Sequence, residues 1–215
     1  MTGKLEIAGL TKTFGGMLAV NDVTMTFEPG SLSAVIGPNG AGKTTLFNMV
    51  SGHLAPTRGT IRLDGIDLVG KAPRTIVHQG VGRAFQVASL FGTFSVRDAM
   101  AAAVLSHRNG LFDMVSTFPP ADAMERAREI MSFVGLSHSE RRRCDTLSHG
   151  DRKLLDIALA LALEPRVLLL DEPTAGMGRD ESRAMIDRVQ RLWERERMTL
   201  VFIEHDMEIV FGIAQ

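Results

Sequence analysis

The chain has 215 residues, 45% of them apolar and 23% charged, with a net charge of −1. This composition is that of an ordinary globular protein able to bury one sizeable core, with room for a smaller inserted subdomain. The charge gives no electrostatic reason to expect a nucleic-acid partner, and a single cysteine, Cys144, excludes an internal disulfide framework and fits a buried, inert thiol in a reducing cytosol. Residues 1–6 lack the apolar core of a secretion signal and no run reaches the length of a membrane span, so work at a membrane would be that of a peripheral subunit.

Leu5 to Leu10 alternates, and Val20, Val23, Met25 and Phe27 continue a pattern of short antiparallel strands broken at Gly15-Gly16, Asn21-Asp22 and Pro29-Gly30. Leu32 to Ile36 reads as a buried strand, and the apolar residues among Thr45 to Val50 fall at helical spacing. Between them Gly37-Pro38-Asn39-Gly40-Ala41-Gly42-Lys43-Thr44-Thr45 satisfies G-x-x-x-x-G-K-[ST] in its required setting of strand, loop and helix. The glycines let backbone N–H groups turn inward around an anion at a helix N-terminus. Lys43 would reach outer phosphates as a point charge, and the Thr44 hydroxyl would complete the shell of a Mg²⁺ that keeps most of its waters.

Ile61 to Leu68, centred on Asp64-Gly65, predicts a hairpin with a type I′ turn. Pro73 opens a short helix closed by Gly80, and Val81 to Gln86 returns as a strand. From about residue 88 the texture is helical. Ser95-x-x-Asp98 is a capping box for a helix from Val96 to Leu105, and Pro119-Pro120 precedes a second helix ended by Gly135. Its stripe of Ala123, Ala127, Ile130, Met131 and Val134 reads as core. The connection from Ser106 to Pro120, with Phe112, Met114 and Phe118, reads as a surface loop tucking apolar groups beneath itself, with a partner contact or flap as the alternative.

Leu154 to Ala162 forms a broad apolar helix stopped by Pro165. Val167 to Leu170 is a continuous apolar run ending in Asp171 and Glu172, the mark of a parallel strand buried on both faces. A further amphipathic helix carries Met185, Ile186, Val189, Leu192 and Trp193, and Thr199 to Glu204 is another buried strand. Such alternation implies a parallel sheet whose ligand lies at the strands' carboxyl ends. There Asp171 would hold Mg²⁺ through water, and Glu172 would orient or deprotonate an attacking water. His205 ends the next strand, within reach of a γ-phosphate, and the Gln86 amide could touch Mg²⁺ or the lytic water.

This order of parts resembles the ATP-binding cassette (ABC) ATPase family over essentially the whole chain. The resemblance identifies Phe14 as the aromatic residue stacked on adenine and Gly37 to Thr45 as the phosphate loop, with Asn39, Gly40, Ala41, Gly42, Lys43, Thr44 and Thr45 binding nucleotide. It makes Gln86 the Q-loop residue, Leu147-Ser148-His149-Gly150-Asp151 the signature with Ser148 and Gly150 as phosphate contacts, Asp171-Glu172 the Walker B pair, and His205 the switch histidine. The implied catalytic set is Glu172, His205, Gln86 and Lys43, and the implied metal set Thr44, Gln86 and Asp171. The implied fold is α/β, a P-loop NTPase core with a parallel sheet, an N-terminal antiparallel β-subdomain and an inserted α-helical subdomain. Residues 1–87 would form the first part of the ATP-binding core, 88–146 the helical signature subdomain, and 147–215 the signature helix with the second part of the core.

The family implies a head-to-tail dimer, homo- or heterodimeric, in which one subunit's phosphate loop and the other's signature enclose each ATP and Mg²⁺. Two positions depart from the usual pattern: Asp151 replaces a glutamine, and Gly178 replaces an aspartate or asparagine. His149 for glycine is a milder change. Asp151 is expected to face solvent or the Arg152-Lys153 pair while Ser148 and Gly150 keep the phosphate contacts. A narrower likeness is carried by Phe14 to Asp22, Thr45 to Met49, Arg83-Ala84-Phe85-Gln86 and Glu172 to Met177, which look like ATP-binding subunits of branched-chain amino acid importers and their urea and amide relatives.

That likeness implies permease subunits, a periplasmic binding protein acting indirectly, and a cytoplasmic subunit peripheral on the inner face of the membrane. Leu90 and Phe91 would line a permease groove or serve as core. The family continues past the switch histidine, so the chain is expected to lack its C-terminal elements. A lipopolysaccharide-type exporter ATPase, a soluble ABC ATPase acting on ribosomes or DNA, and a regulatory module without turnover stay open as alternatives.

Overall fold

The computed structural model describes residues 2–84, 91–107 and 120–205. The chain divides into two compact units, Met1–Arg83 with Pro165–Gln215, and Ala84–Glu164.

In the first unit an antiparallel sheet runs in the order β2-β1-β4-β5, from β1 (Leu5–Phe14), β2 (Met17–Phe27), β4 (Arg58–Leu63) and β5 (Ile66–Asp67). The turn between β4 and β5 has Asp64 at φ 48° and Gly65 at φ 80°, both positive as a type I′ turn requires. Asn21-Asp22 does not break a strand. Pairing steps from Leu10↔Val23 to Lys12↔Val20, so β2 holds one extra residue there, with Asp22 at φ 48°. The Asp22 N–H donates to Thr11 Oγ1 at 3.1 Å; an aspartate tolerating the left-handed conformation makes a bulge inside a paired strand look, in sequence, like a turn. Opposite β1, a Cβ at Gly59 (φ 96°) would lie 2.6 Å from the Gly9 carbonyl oxygen, so the backbones meet where only glycine fits.

The second sheet has the order β3-β8-β7-β6, from β3 (Leu32–Ile36), β8 (Thr199–Glu204), β7 (Val167–Asp171) and β6 (Val81–Ala84). β3 and β7 both pair with β8 in parallel. Every residue of β8 is buried, and so are Val167 to Leu170 of β7, as their unbroken apolar runs predict. β3 differs from its expected burial: its residues are half-buried and Ile36 is 46% exposed, because it forms the sheet's edge among the described strands.

Helix α1 (Lys43–Val50) shares one core with both sheets. Its Leu46, Phe47, Met49 and Val50 join Leu5, Ile7 and Ile61 from the antiparallel sheet and Val167, Leu169, Val201 and Ile203 from the parallel one. Each such side chain contributes about 1.5–3 kcal/mol of burial, so the helix that opens at Lys43 is fixed from two sides. Helix α2 (Pro73–His78) precedes Gly80, and α6 (Arg179–Glu196) buries Met185, Ile186, Val189 and Leu192, as its periodicity predicts. Trp193 is half-buried, its Nε1 donating to the Gly30 carbonyl at 2.8 Å.

In the second unit α3 (Val96–His107), α4 (Ala121–Val134) and α5 (His149–Leu161) pack against one another. The Asp98 N–H donates to Ser95 Oγ at 3.1 Å, which makes the expected cap of α3. All five stripe residues of α4 are buried, and Gly135 caps it at φ 86°. Phe91 is half-buried and meets Phe94 edge to face at 5.8 Å. Leu90 and the stretch with Phe112, Met114 and Phe118 lie outside the described residues.

Candidate functional site

The parallel registers decide which loops meet. Ile36 pairs with Glu204, and Asp171 with Ile203. The residues that follow, Gly37, His205 and Glu172, therefore leave three adjacent strands at one sheet edge, with neighbouring strands about 4.8 Å apart. The Glu172 N–H donates to the Ile203 carbonyl at 3.1 Å, fixing the turn after β7 against β8. Glu172 itself has φ 46°, a left-handed conformation rare outside glycine. The phosphate loop, both carboxylates and the histidine thus converge as the strand order predicts.

The loop from Gly37 to Thr45 has the backbone of an anion cradle. Gly42 is the N-cap of α1 at φ 85°, with no side-chain cap, and the helix's first turn holds no acidic residue. A Cβ on Gly42 would lie 2.3 Å from the Ala19 carbonyl oxygen, so β2 presses on the loop where a side chain cannot enter. The first N–H groups of α1 have no intrahelical acceptor and carry the positive end of its dipole. Asn39, Gly40, Ala41 and Thr44 are exposed and Thr45 half-buried.

Lys43 is 8% exposed, and its Nζ donates to the carbonyls of Gly37 and Pro38 at 2.6 and 2.9 Å. Its ammonium is therefore folded over the loop rather than extended into solvent. Beside it a cavity of about 400 Å³ is walled by residues including Leu18, Ala19, Val20, Ala41, Gly42 and Lys43. Phe14, at the tip of the β1–β2 hairpin, is 44% exposed with Lys12 Nζ 5.1 Å from its ring centroid; it is not part of that wall.

Asp171 is held by a residue that sequence reading missed. Arg83, with a side chain 4% exposed, donates from Nη2 to Asp171 Oδ2 at 2.8 Å. Its Nη1 donates to Asn48 Oδ1 at 2.7 Å, in the last turn of α1, and to Ser51 Oγ at 3.1 Å, the residue that caps that helix. Burial pulls the Arg83 pKa below its ordinary value, and the Asp171 carboxylate opposes that shift. The signal available in the sequence was a charged residue inside the strand pattern Val81-Gly82-Arg83-Ala84. Glu204 was missed for the same reason: it closes the apolar run of β8, is wholly buried, and accepts from Thr174.

The signature residues belong to the second unit. Ser148 is the N-cap of α5, its Oγ accepting from the Asp151 N–H at 3.1 Å. The Asp151 carboxylate, expected to face solvent or Arg152-Lys153, is 18% exposed and pairs with His138, whose Nε2 lies 3.3 Å from Oδ2. The chain returns past α4 through a short turn that sets His138 beside the first turn of α5, a tertiary proximity that local sequence does not encode. Gly150 is half-buried in that turn. Gly178 is the N-cap of α6, its N–H donating to Glu181 Oε2 at 3.3 Å. Gln86 lies outside the described residues.

A phosphate loop between a parallel strand and a helix, facing two carboxylates and a histidine at the same sheet edge, defines a P-loop nucleotide-binding protein. The family model described as ABC transporter matches residues 20–175. The chain is 38% identical over 216 aligned residues to the high-affinity branched-chain amino acid transport ATP-binding protein BraF of Pseudomonas aeruginosa, spanning 98% of this chain and 85% of that protein. It is 36% identical, with the same coverage, to the corresponding protein LivG of Escherichia coli. Among solved structures, the ADP conformation of an ATP-binding cassette of an ABC transporter superposes with a TM-score of 0.85 at 28% identity, over 99% of this chain and 85% of that one. The chain belongs to the ABC transporter family, and it is an ATP-binding ATPase of that family.

Proposed function

We propose that this chain is the ATP-hydrolysing subunit of an importer for branched-chain amino acids or related small amides. The observation that carries the reading is its likeness, along almost its whole length, to two proteins named for branched-chain amino acid transport. In this reading the exposed N–H groups of the loop and of the first turn of α1 hold the phosphates, from Asn39 through Thr45, and Lys43 leaves the carbonyls of Gly37 and Pro38 for the outer phosphates. Phe14 offers its exposed ring to adenine. Glu172 polarises the attacking water, and His205 and Gln86 contact the γ-phosphate and the water.

Mg²⁺ fits the donor set at the sheet edge. The Thr44 hydroxyl is exposed, and Asp171, with Oδ2 committed to Arg83, has an Oδ1 without a hydrogen bond among the described residues. Both are hard oxygen donors, and Mg²⁺ is commonly held by one or two such groups together with substrate phosphates and water rather than by an all-protein cage. Thr44 and Asp171, with Gln86, would hold it, and the ion would neutralise charge developing on the phosphates.

Ser148 and Gly150 meet the nucleotide of a second ATP-binding subunit, so ATP joins two cassettes and hydrolysis releases them. Residues 1–87, 88–146 and 147–215 divide the work between nucleotide core, helical arm and signature with the second half of the core. No helix among the described residues is long and apolar enough to cross a membrane; the chain acts peripherally at the cytoplasmic face, on permease subunits supplied by a periplasmic binding protein.

Mg²⁺-dependent hydrolysis by the wild type and by Glu172→Gln tests the chemistry, with a loss of at least about a hundredfold expected; equal rates would remove Glu172 from its role. Co-purification with permeases of the branched-chain class, followed by ATP-driven uptake of leucine, valine, urea and short amides in proteoliposomes, tests the transport reading. Hydrolysis without such association or uptake would overturn it.

A further inference from the structure

Arg83 is a buried guanidinium that joins three parts of the site. It projects from β6. One of its terminal nitrogens binds α1, the helix that opens with Lys43 and Thr44, through Asn48 and Ser51. The other binds Asp171 at the end of β7. The guanidinium carbon also lies 5.7 Å from the centroid of Phe47, the buried aromatic residue of the same helix. A planar, rigid fork with both ends engaged fixes the distance between the groups it binds, which a flexible ammonium does not.

We propose that Arg83 is the positioning residue of the metal–nucleotide site: it holds Asp171 in one orientation, with Oδ1 presented to the metal, and in register with the helix that supplies Thr44. The inference rests on the reading of Asp171 and Thr44 as metal ligands. Two effects of Arg83 on a bound cation have opposite signs. As a positive charge close to the ligand it repels a divalent ion, so its removal, by Coulomb's law alone, tightens binding. As the partner that orients the carboxylate it aids binding, and loss of such outer contacts commonly weakens metal affinity by about 10–100-fold. The fork to Asn48 and Ser51 favours the second effect, since Arg83 is itself fixed at its other end.

The test uses Mn²⁺ as a spectroscopic stand-in for Mg²⁺, bound with ATP to the full chain carrying Glu172→Gln so that the nucleotide is not consumed. In that background Arg83→Met should weaken Mn²⁺, read by electron paramagnetic resonance, by about tenfold. ATP affinity in EDTA should stay within about twofold, because the partners of Arg83 described above, Asn48, Ser51, Asp171 and Phe47, lie outside the phosphate loop. Arg83→Lys, which keeps the charge and loses the fork, should weaken Mn²⁺ comparably. Asn48→Ala keeps the ion pair and removes the shorter of the two bonds made by Nη1, leaving only that to Ser51, and should weaken the metal by a smaller factor; it decides the matter if both Arg83 variants fail to fold. Unchanged or tighter Mn²⁺ binding in the folded variants overturns the proposal. Asp171→Asn separates the two levels of inference: if it leaves Mn²⁺ affinity unchanged, the metal-ligand reading fails; if it weakens Mn²⁺ while the Arg83 and Asn48 variants do not, only the positioning role fails.

Discussion

Oε1 of Glu204 accepts two hydrogen bonds from Thr174, one from its N–H at 3.1 Å and one from its hydroxyl at 2.6 Å. The carboxylate is wholly buried at the end of β8, beside His205, and Thr174 lies in the turn that leaves β7 after Asp171 and Glu172. A single acceptor atom therefore ties the loop bearing one catalytic candidate to the end of the strand that the other follows.

The Glu204 contact separates two substitutions of similar size. Glu204→Gln keeps an amide oxygen where Oε1 stands, and Oε2 makes no hydrogen bond among the described residues, so stability in urea should change by no more than about 1 kcal/mol. Glu204→Ala leaves two buried donors of Thr174 unsatisfied and opens a cavity, and should cost about 2–4 kcal/mol. If both variants lost equal stability, the turn would depend on the charge rather than on the acceptor.

What the sequence disclosed follows from which signals are local. The run Val167 to Asp171 and the hairpin at Asp64-Gly65 were legible because burial on both faces, and paired positive φ values, each leave a composition that nothing else requires. The phosphate loop was legible for the same reason: Gly42 faces the Ala19 carbonyl at a distance that no side chain survives. The bulge at Asp22 was not legible, since aspartate at positive φ serves a turn and a bulge equally. Arg83, Glu204 and the pairing of His138 with Asp151 depend on partners far away in the chain. A polar residue in an apolar strand announces that a partner exists, but not which one.

Cys144 supplies a pH test in the second unit. It is fully buried, and burial, with Asp145 adding to it, pushes its thiol up to about 11 from 9.0. Below about pH 9 the thiol is protonated in both folded and unfolded chains, and its contribution to stability is complete. Between 9 and about 11 the unfolded chain loses the proton while the folded chain keeps it, so that contribution is lost as the pH rises. Lysines titrate in the same range, so the quantity to measure is the stability difference between wild type and Cys144→Ala from pH 8 to 11. It should shrink in favour of the alanine variant as pH rises, and maleimide should label the native thiol at pH 8 far more slowly than the urea-unfolded one. A pH-independent difference would remove the thiol from this role.

Asp151 stands where the family resemblance expects glutamine, one residue beyond Gly150 and next to the phosphate contacts assigned to a second subunit's nucleotide. Its carboxylate is 18% exposed and set beside His138, whose Nδ1 lies 3.1 Å from the Gly135 carbonyl. Its own N–H is taken by Ser148 Oγ. An acidic residue in the first turn of α5 complements the helix dipole, and its exposed histidine partner adds little more, so Asp151→Gln should cost about 0.5–1 kcal/mol of stability. Ser148 keeps its capping bond in that variant, because the donor is backbone. Turnover should therefore stay within about threefold of wild type, a difference of about 0.6 kcal/mol in barrier. A rise of tenfold or more would mean that the carboxylate leaves His138 when nucleotide arrives and opposes the phosphate, making Asp151 a brake on hydrolysis; His138→Ala alone, which frees the carboxylate, would then lower turnover below wild type. ATPase rates of Asp151→Gln, His138→Ala and the wild type, measured on the same preparation with its unfolding midpoint, decide between a helix-start contact and a brake.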